Sequence, residues 1–425
     1  MNRRDFLAAL PATAAASHLI AGEKTAPAKI AVGPDDWPWW RGPTRDGVAP
    51  AQKIPLEWAA DKNVLWEAPV PGRGHGAAVV VGDRVFLATA DEKAEVQGVL
   101  CLDRNTGKHL WHTEIHRGNF TTKGMNAKAS HASPTPACDG ERVYINFLNN
   151  GAIHATALDL DGKQVWQTKV TDYTLHQGFG SSPAVYGPLL LVTADNKGEG
   201  TGLIAGLDRA TGKMVWDRKR PKAANYASPV VVTVGGKDQL ILIGCDLVTS
   251  LDPLTGKENW ELKGATTECV TSTVTDGKHV FTSGGYPRKH VAAVKADGSG
   301  VAWENKLEVY VPSMLVRDGH LYAVMDEGVA MCWKSDTGAQ VWKGRLGGTF
   351  TASPVLVGEH ILATNETGRT YIFKANPKEF ELESENQLGG ETFATPTVCG
   401  GRIYLRVAVK ANGTRREKLV CVGGK

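Results

Sequence analysis

The chain has 425 residues, 48 of them Gly, and a formal net charge of +3. A charge so near neutral at this length leaves no electrostatic footprint for nucleic acid, and no apolar run is long enough for a membrane-spanning helix. The seven cysteines lack metal-ligand spacing and read as buried small hydrophobes; Cys399 and Cys421 are the first pair to test for a disulfide.

At the N-terminus, Asn2-Arg3-Arg4-Asp5-Phe6-Leu7 precedes a short alanine-rich run. This is a charged n-region, a weak h-region and small residues suited to cleavage. Paired arginines before Asp-Phe-Leu resemble a twin-arginine export signal, which is a receptor-read address and not an anchor. Residues 1–27 are therefore read as signal and tether, and the mature protein is expected to be exported, periplasmic or otherwise extracytoplasmic, and soluble. There is no cysteine beside the candidate cleavage site to take a lipid. Residues 28–56 carry Trp37-Pro38-Trp39-Trp40-Arg41-Gly42-Pro43. Three Trp in four residues need a surface to bury against. The segment is expected to plug a face or side of the following domain; the alternative is that its Trp and Arg line a ligand pocket.

Residues 57–423 are organised by an internal repeat. Its first element begins after a small residue, usually followed by proline: Gly76-Ala77, Ala132-Ser133-Pro134, Ser181-Ser182-Pro183, Ala227-Ser228-Pro229, Thr271-Ser272, Pro312-Ser313, Ala352-Ser353-Pro354 and Ala394-Thr395-Pro396. Its third apolar run ends at Leu102-Asp103, Leu158-Asp159, Leu207-Asp208 and Leu251-Asp252, and a turn containing Gly then leads to Trp111, Trp166, Trp216, Trp260, Trp303 and Trp342. Each run is strand-length and rich in β-branched residues. The repeat of roughly 40–50 residues is that of a four-stranded propeller blade. One such sheet cannot bury both its faces, so the units must stack around an axis.

Eight starts are followed by only six final Trp positions, with Phe380 standing as a seventh, and the eighth unit ends at Cys421-Val422 without a last strand. Leu65-Trp66-Glu67-Ala68-Pro69-Val70 reads as a last strand with no unit before it. The fold expected is thus all-β: an eight-bladed propeller of four-stranded antiparallel blades, closed by an N-terminal strand that completes the last blade and removes an open sheet edge. Within each blade the Asp before the turn is expected to accept backbone N–H groups, the Gly to supply positive φ, and neither to be catalytic.

The Trp-x-x-Trp-Arg-Gly-Pro opening, the Ala-Ser-Pro starts and the Leu-Asp-x-x-Thr-Gly-Lys-x-x-Trp ends together resemble the pyrroloquinoline quinone (PQQ)-like propeller superfamily. That group includes quinoprotein alcohol dehydrogenases and the non-catalytic outer-membrane assembly factor BamB. The resemblance implies that each last-strand Trp packs between blades. For a dehydrogenase it implies adjacent cysteines in a disulfide against the quinone, a facing Trp, calcium held by carboxylate and amide oxygens, and an Asp base. No two cysteines here are adjacent.

A site is expected on one rim. The residue before the first strand and the turn between the second and third strands should share a face of the ring, where a central funnel binds ligands. The first position gives His75, His131, Phe179, Tyr226, Glu268, Tyr310 and Phe393; the second gives Asp195, Asn196, Asp246, Tyr286, Arg288 and Asp326, with Arg406 in the last blade. Asp195, Asn196, Asp246 and Asp326 are the residues that could offer hard oxygens to calcium. No Gly-x-Ser-x-Gly elbow and no His-Glu-x-x-His zinc signature is present. The function expected is a non-catalytic, monomeric propeller of the bacterial cell envelope that binds a partner protein or peptide at its rim and needs no cofactor or metal. The alternative is a quinone-dependent alcohol dehydrogenase using PQQ with calcium, and a third reading is a carbohydrate- or small-ligand-binding propeller.

Overall fold

The computed structural model describes residues 30–424; the export signal read over residues 1–27 lies outside them. Among the described residues there is no helix. Eight blades of four antiparallel strands follow one another along the chain, and Val48–Ala49 adds a fifth, parallel strand to the sheet of blade 7. Blade 1 is built from Val79–Val81, Arg84–Asp91, Val96–Asp103 and His109–Arg117. Blades 2 to 7 repeat this order over 137–172, 184–219, 230–263, 274–305, 315–345 and 355–387. Blade 8 consists of Thr397–Cys399, Arg402–Ala411 and Thr414–Gly423, and its outer strand is Val64–Val70, paired antiparallel to the chain's last strand. The ring therefore closes by joining the N-terminal strand to the C-terminal blade, as the sequence implied.

Burial explains the strand patterns. Middle strands are sandwiched between neighbouring blades, so Val85-Phe86-Leu87-Ala88-Thr89-Ala90 is buried on both faces and reads as a continuous apolar run. Outer strands line the wall of the ring and alternate, as in Met214–Lys219.

Two contacts repeat from blade to blade. In the first, the outer-strand Trp lies against the glycine turn of the next blade. A Cβ on Gly107 would meet Trp66 at 2.5 Å, one on Gly162 would meet Trp111 at 2.6 Å, and one on Gly256 would meet Trp216 at 2.4 Å. The indole Nε1 of Trp66, Trp111 and Trp166 donates to a carbonyl in that same neighbouring turn, at 2.9–3.0 Å. The turn glycine thus serves twice, supplying positive φ (68° at Gly256) and leaving room for an aromatic face. Because Trp66 sits in the strand that completes blade 8, ring closure uses the same contact. The carboxylates ahead of these turns cap them, Asp103 Oδ1 accepting the N–H of Asn105 at 3.0 Å and of Thr106 at 2.8 Å.

In the second contact, a hydroxyl at the start of blades 2, 3, 4, 6, 7 and 8 accepts the backbone N–H of the equivalent residue one blade earlier. Ala77 donates to Thr135, Thr135 to Ser182 and Ser182 to Ser228, each at 2.9 Å. Ser272 donates to Ser313 and Ser313 to Ser353 at 2.9 Å, and Ser353 to Thr395 at 3.0 Å. The small starting residue is thus a bridging hydroxyl near the axis. This ladder also corrects the register of blade 2: its start is Thr135-Pro136, two residues beyond Ser133-Pro134.

Two further corrections concern single residues. Phe380 is not the seventh outer-strand aromatic. That place, opposite Ile372, belongs to Ser384, whose hydroxyl donates to Leu56 O at 2.6 Å, and Phe380 instead packs on Trp342 and Phe373. The buried Trp58, whose N–H donates to Asn386 Oδ1, covers this edge of blade 7. Cys399 and Cys421 lie on strands separated by Arg402–Ala411. Two inter-strand spacings of about 4.8 Å put them beyond disulfide reach of about 7 Å, and all seven cysteines are free and buried.

The tryptophan-rich segment enters the ring at the end opposite the starts of the first strands. Trp37 pairs with Val80 of blade 1 and Pro38 O accepts the N–H of Cys138 in blade 2. The Trp40 indole donates to Ser272 of blade 5 at 2.8 Å. The buried Arg41 guanidinium reaches the carbonyls of Met314 and Pro354 in blades 6 and 7, and Arg45 stacks 4.3 Å over Trp39. The Arg45 guanidinium also donates to Val185 O of blade 3, so one short segment touches six blades around the axis.

A candidate binding site at the axial mouth

The connection entering each blade lies against that blade's turn between second and third strands, as the paired backbones of Arg73 with Ala90, Glu268 with Tyr286 and Glu391 with Ala408 show. Both sets of candidate residues therefore face the same end of the ring. They do not form one site. The mouth divides in two.

Over blades 7, 8, 1 and 2 it is strapped. The connection between blades 1 and 2 is the longest between blades. Its Asn126 bonds to Gln177 through both backbone and side chain, at 3.0 Å in each case. Lys128 Nζ reaches both carboxylate oxygens of Glu366 in blade 7, at 2.9 and 2.8 Å. Beneath lie His75 against Phe393, ring centroids 4.6 Å apart, and His131 stacked on Phe120 at 4.2 Å. Burial, with Arg73, Arg406 and Arg415 nearby, pushes His75 well below the usual imidazole range, so it stays neutral. Arg406 is locked to Glu417 at 2.7 Å, with both side chains buried.

Over blades 3 to 6 the mouth carries a second group. Tyr226 shares a hydrogen bond with His176 Nδ1 at 2.8 Å and donates to His176 O at 3.0 Å. Glu268, whose side chain is only 7% exposed, stands 3.6 Å from His176 Nδ1 and 3.8 Å from Lys197 Nζ. Burial first, and then the Glu268 carboxylate, raise both Tyr226 and Tyr310 above the usual phenol range. Asp326 accepts the N–H of Tyr310 at 2.8 Å and of Val311 at 3.1 Å, which fixes the backbone that carries Tyr310; burial raises this carboxyl. Tyr286, Arg288 and Asp246 are exposed at the edge, and Phe179 is buried edge-on to Tyr173.

The oxygens that calcium would need are already used by the fold. Asp195 forms a buried two-point pair with Arg220, at 3.0 and 3.2 Å, and accepts Asn225 Nδ2 at 3.0 Å. Asn196 Oδ1 accepts from Gly198 N and Thr201 Oγ1, both at 2.8 Å. Asp326 is held by backbone, and Asp246 accepts Thr267 Oγ1 at 2.8 Å on the outside. Among the described residues no three His, Cys, Asp or Glu side chains are grouped to hold a metal ion. This donor set does not fit calcium, and with no adjacent cysteines the quinone clamp does not fit either.

Sequence reasoning missed His176, Lys197, Arg220 and Asn225. None recurs at the blade period, so no repeat template marks them. Only the short, polar connections that carry them hinted at a role.

The comparisons with known proteins converge on this architecture. A family model described as outer membrane protein assembly factor BamB matches residues 56–172 and 95–344. Polyvinylalcohol dehydrogenase from Sphingopyxis sp. (strain 113P3) is 25% identical over 413 residues, covering 88% of this chain and 53% of that one. The chain spans about half, or less, of the length of the polyvinylalcohol dehydrogenases it matches. BamB from Yersinia pestis is 22% identical over 387 residues, covering 84% of this chain and 89% of that one. Quinohemoprotein alcohol dehydrogenase from Comamonas testosteroni superposes with a TM-score of 0.68 at 13% identity, covering 94% of this chain and 82% of that one, which speaks for the fold alone. With well over half of its length matched by that model, the chain belongs to the PQQ-like propeller family described by BamB.

Proposed function

We propose that this propeller is a non-catalytic binding module of the bacterial cell envelope, exported by the twin-arginine route, which docks a partner protein or peptide on the open half of its mouth. The observation that carries the reading is the fate of the acidic and amide side chains there. Asp195, Asn196 and Asp326 are spent on the fold itself, while Tyr286, Arg288 and Asp246 remain exposed around them. Side chains of this kind suit recognition better than catalysis, since aromatic and arginine groups anchor interfaces. Similarity to BamB, an outer membrane protein assembly factor by name, supports the same reading.

The test is capture from envelope extract on immobilised protein, run beside the double variant Tyr286→Ala, Arg288→Glu. A partner retained by the native protein and lost by the variant is the expected result. Nothing above background, or equal capture by both, would count against the proposal. The second reading, a quinone-dependent dehydrogenase, is favoured by the polyvinylalcohol dehydrogenase similarity across most of this chain. It would require PQQ and calcium to be held by groups other than those named above.

A further inference from the structure

The open half of the mouth contains one buried carboxylate that no cation grips at hydrogen-bond distance. Asp195 is clamped by a guanidinium at hydrogen-bond distance and Asp326 by two backbone N–H groups. The Glu268 side chain is buried too, at 7% exposure, yet its nearest cationic groups stand off at 3.6 and 3.8 Å, and its close polar neighbour is the neutral phenol of Tyr226. A buried carboxylate is costly unless something pairs with it closely. Around it, Tyr226 and Tyr310 present aromatic surface from the flanking blades, and Tyr310 is held in place through Asp326. The cation that does approach is informative. Lys197 comes from the turn of blade 3, is 46% exposed, and brings a primary ammonium to within 3.8 Å of Oε1 without closing a hydrogen bond. It acts as a displaceable stand-in for what the pocket complements.

We infer that Glu268, with Tyr226 and Tyr310, receives the lysine side chain of an extended partner segment that displaces Lys197 from the mouth. The carboxylate would take the ammonium, and the phenol rings would cover the methylene stem, which buries along apolar surface while its charge is paired. A lysine suits the site because the cations beside it, His176 and Lys197, both approach the single oxygen Oε1, the geometry of a compact point charge and not of a two-point guanidinium fork. This inference deepens the proposal above and rests on it.

The experiment is calorimetric titration of the capped tripeptide acetyl-Gly-Lys-Gly-amide into the full chain and into two variants, with the norleucine analogue and methylammonium as controls. Saturable binding to the native protein is expected. Glu268→Gln should weaken it by about tenfold or more, and Lys197→Ala, a change at a half-exposed side chain, should strengthen it by removing the competitor. Neither control should bind comparably. The inference is overturned by no binding, by unchanged affinity in either variant, by equal binding of the norleucine peptide, or by methylammonium binding as tightly as the peptide. If Glu268→Gln loses its cooperative unfolding transition, Lys197→Ala still decides the matter. An envelope partner captured equally by native protein and Glu268→Gln would sink this inference and leave the docking proposal standing. Lysine-peptide binding without any captured partner would do the reverse.

Discussion

At the scale of single residues, what separates a site from a scaffold is how each polar group is paired. Asp195 resembled a calcium ligand when read as an acidic residue in a rim turn, but its partners make it structural. Burial opposes the charge on Arg220, yet the Asp195 carboxylate, bonded to it at two points, holds the guanidinium above its usual range. Asp195→Asn would leave Arg220 as an uncompensated buried charge, and losses of about 3–5 kcal/mol are typical of such breaks. Chemical denaturation should register a fall in stability of that order. A stability equal to that of the native protein would return Asp195 to the pool of ligand-binding residues.

At the scale of elements, the repeat was legible because its chemistry is local and recurs. A carboxylate caps a turn, a glycine takes positive φ, and a Trp follows at fixed spacing; each of these is visible in one dimension. That the glycine and the Trp of the preceding blade form a single contact was not visible, since the two lie in different repeats. Gly256→Ala tests the pairing. The new Cβ would lie 2.4 Å from Trp216 on a backbone with φ of 68°, so clash and strain add, and a cost of at least about 1–3 kcal/mol follows. A lowered thermal midpoint is expected, and an unchanged one would mean that the blades do not pack through this turn. Blade 7 shows where a one-dimensional pattern fails. Phe380 has the right character at nearly the right spacing, yet Ser384 holds the position and Trp58, more than 300 residues away in sequence, covers the edge.

At the scale of the whole molecule, one segment packs on six blades at one end of the ring, and a strap from Lys128 to Glu366 spans part of the other. What remains open is the half-mouth over blades 3 to 6. The topology placed Tyr226, Glu268, Tyr310 and Tyr286 there, and the sequence was enough to name them, because position within a blade determines which face a residue meets. It was not enough to tell which carboxylates a cation grips closely, because Arg220, Asn225 and His176 come from connections that differ in every blade. The central claim is that this mouth binds a partner and does not run quinone chemistry. It is tested most directly by calorimetric titration of PQQ with calcium into the purified protein, followed by dye reduction with simple alcohols. No saturable heat and no turnover are expected. Micromolar or tighter binding with dye reduction would contradict the claim and make the molecule a dehydrogenase whose ligands are not the ones identified above.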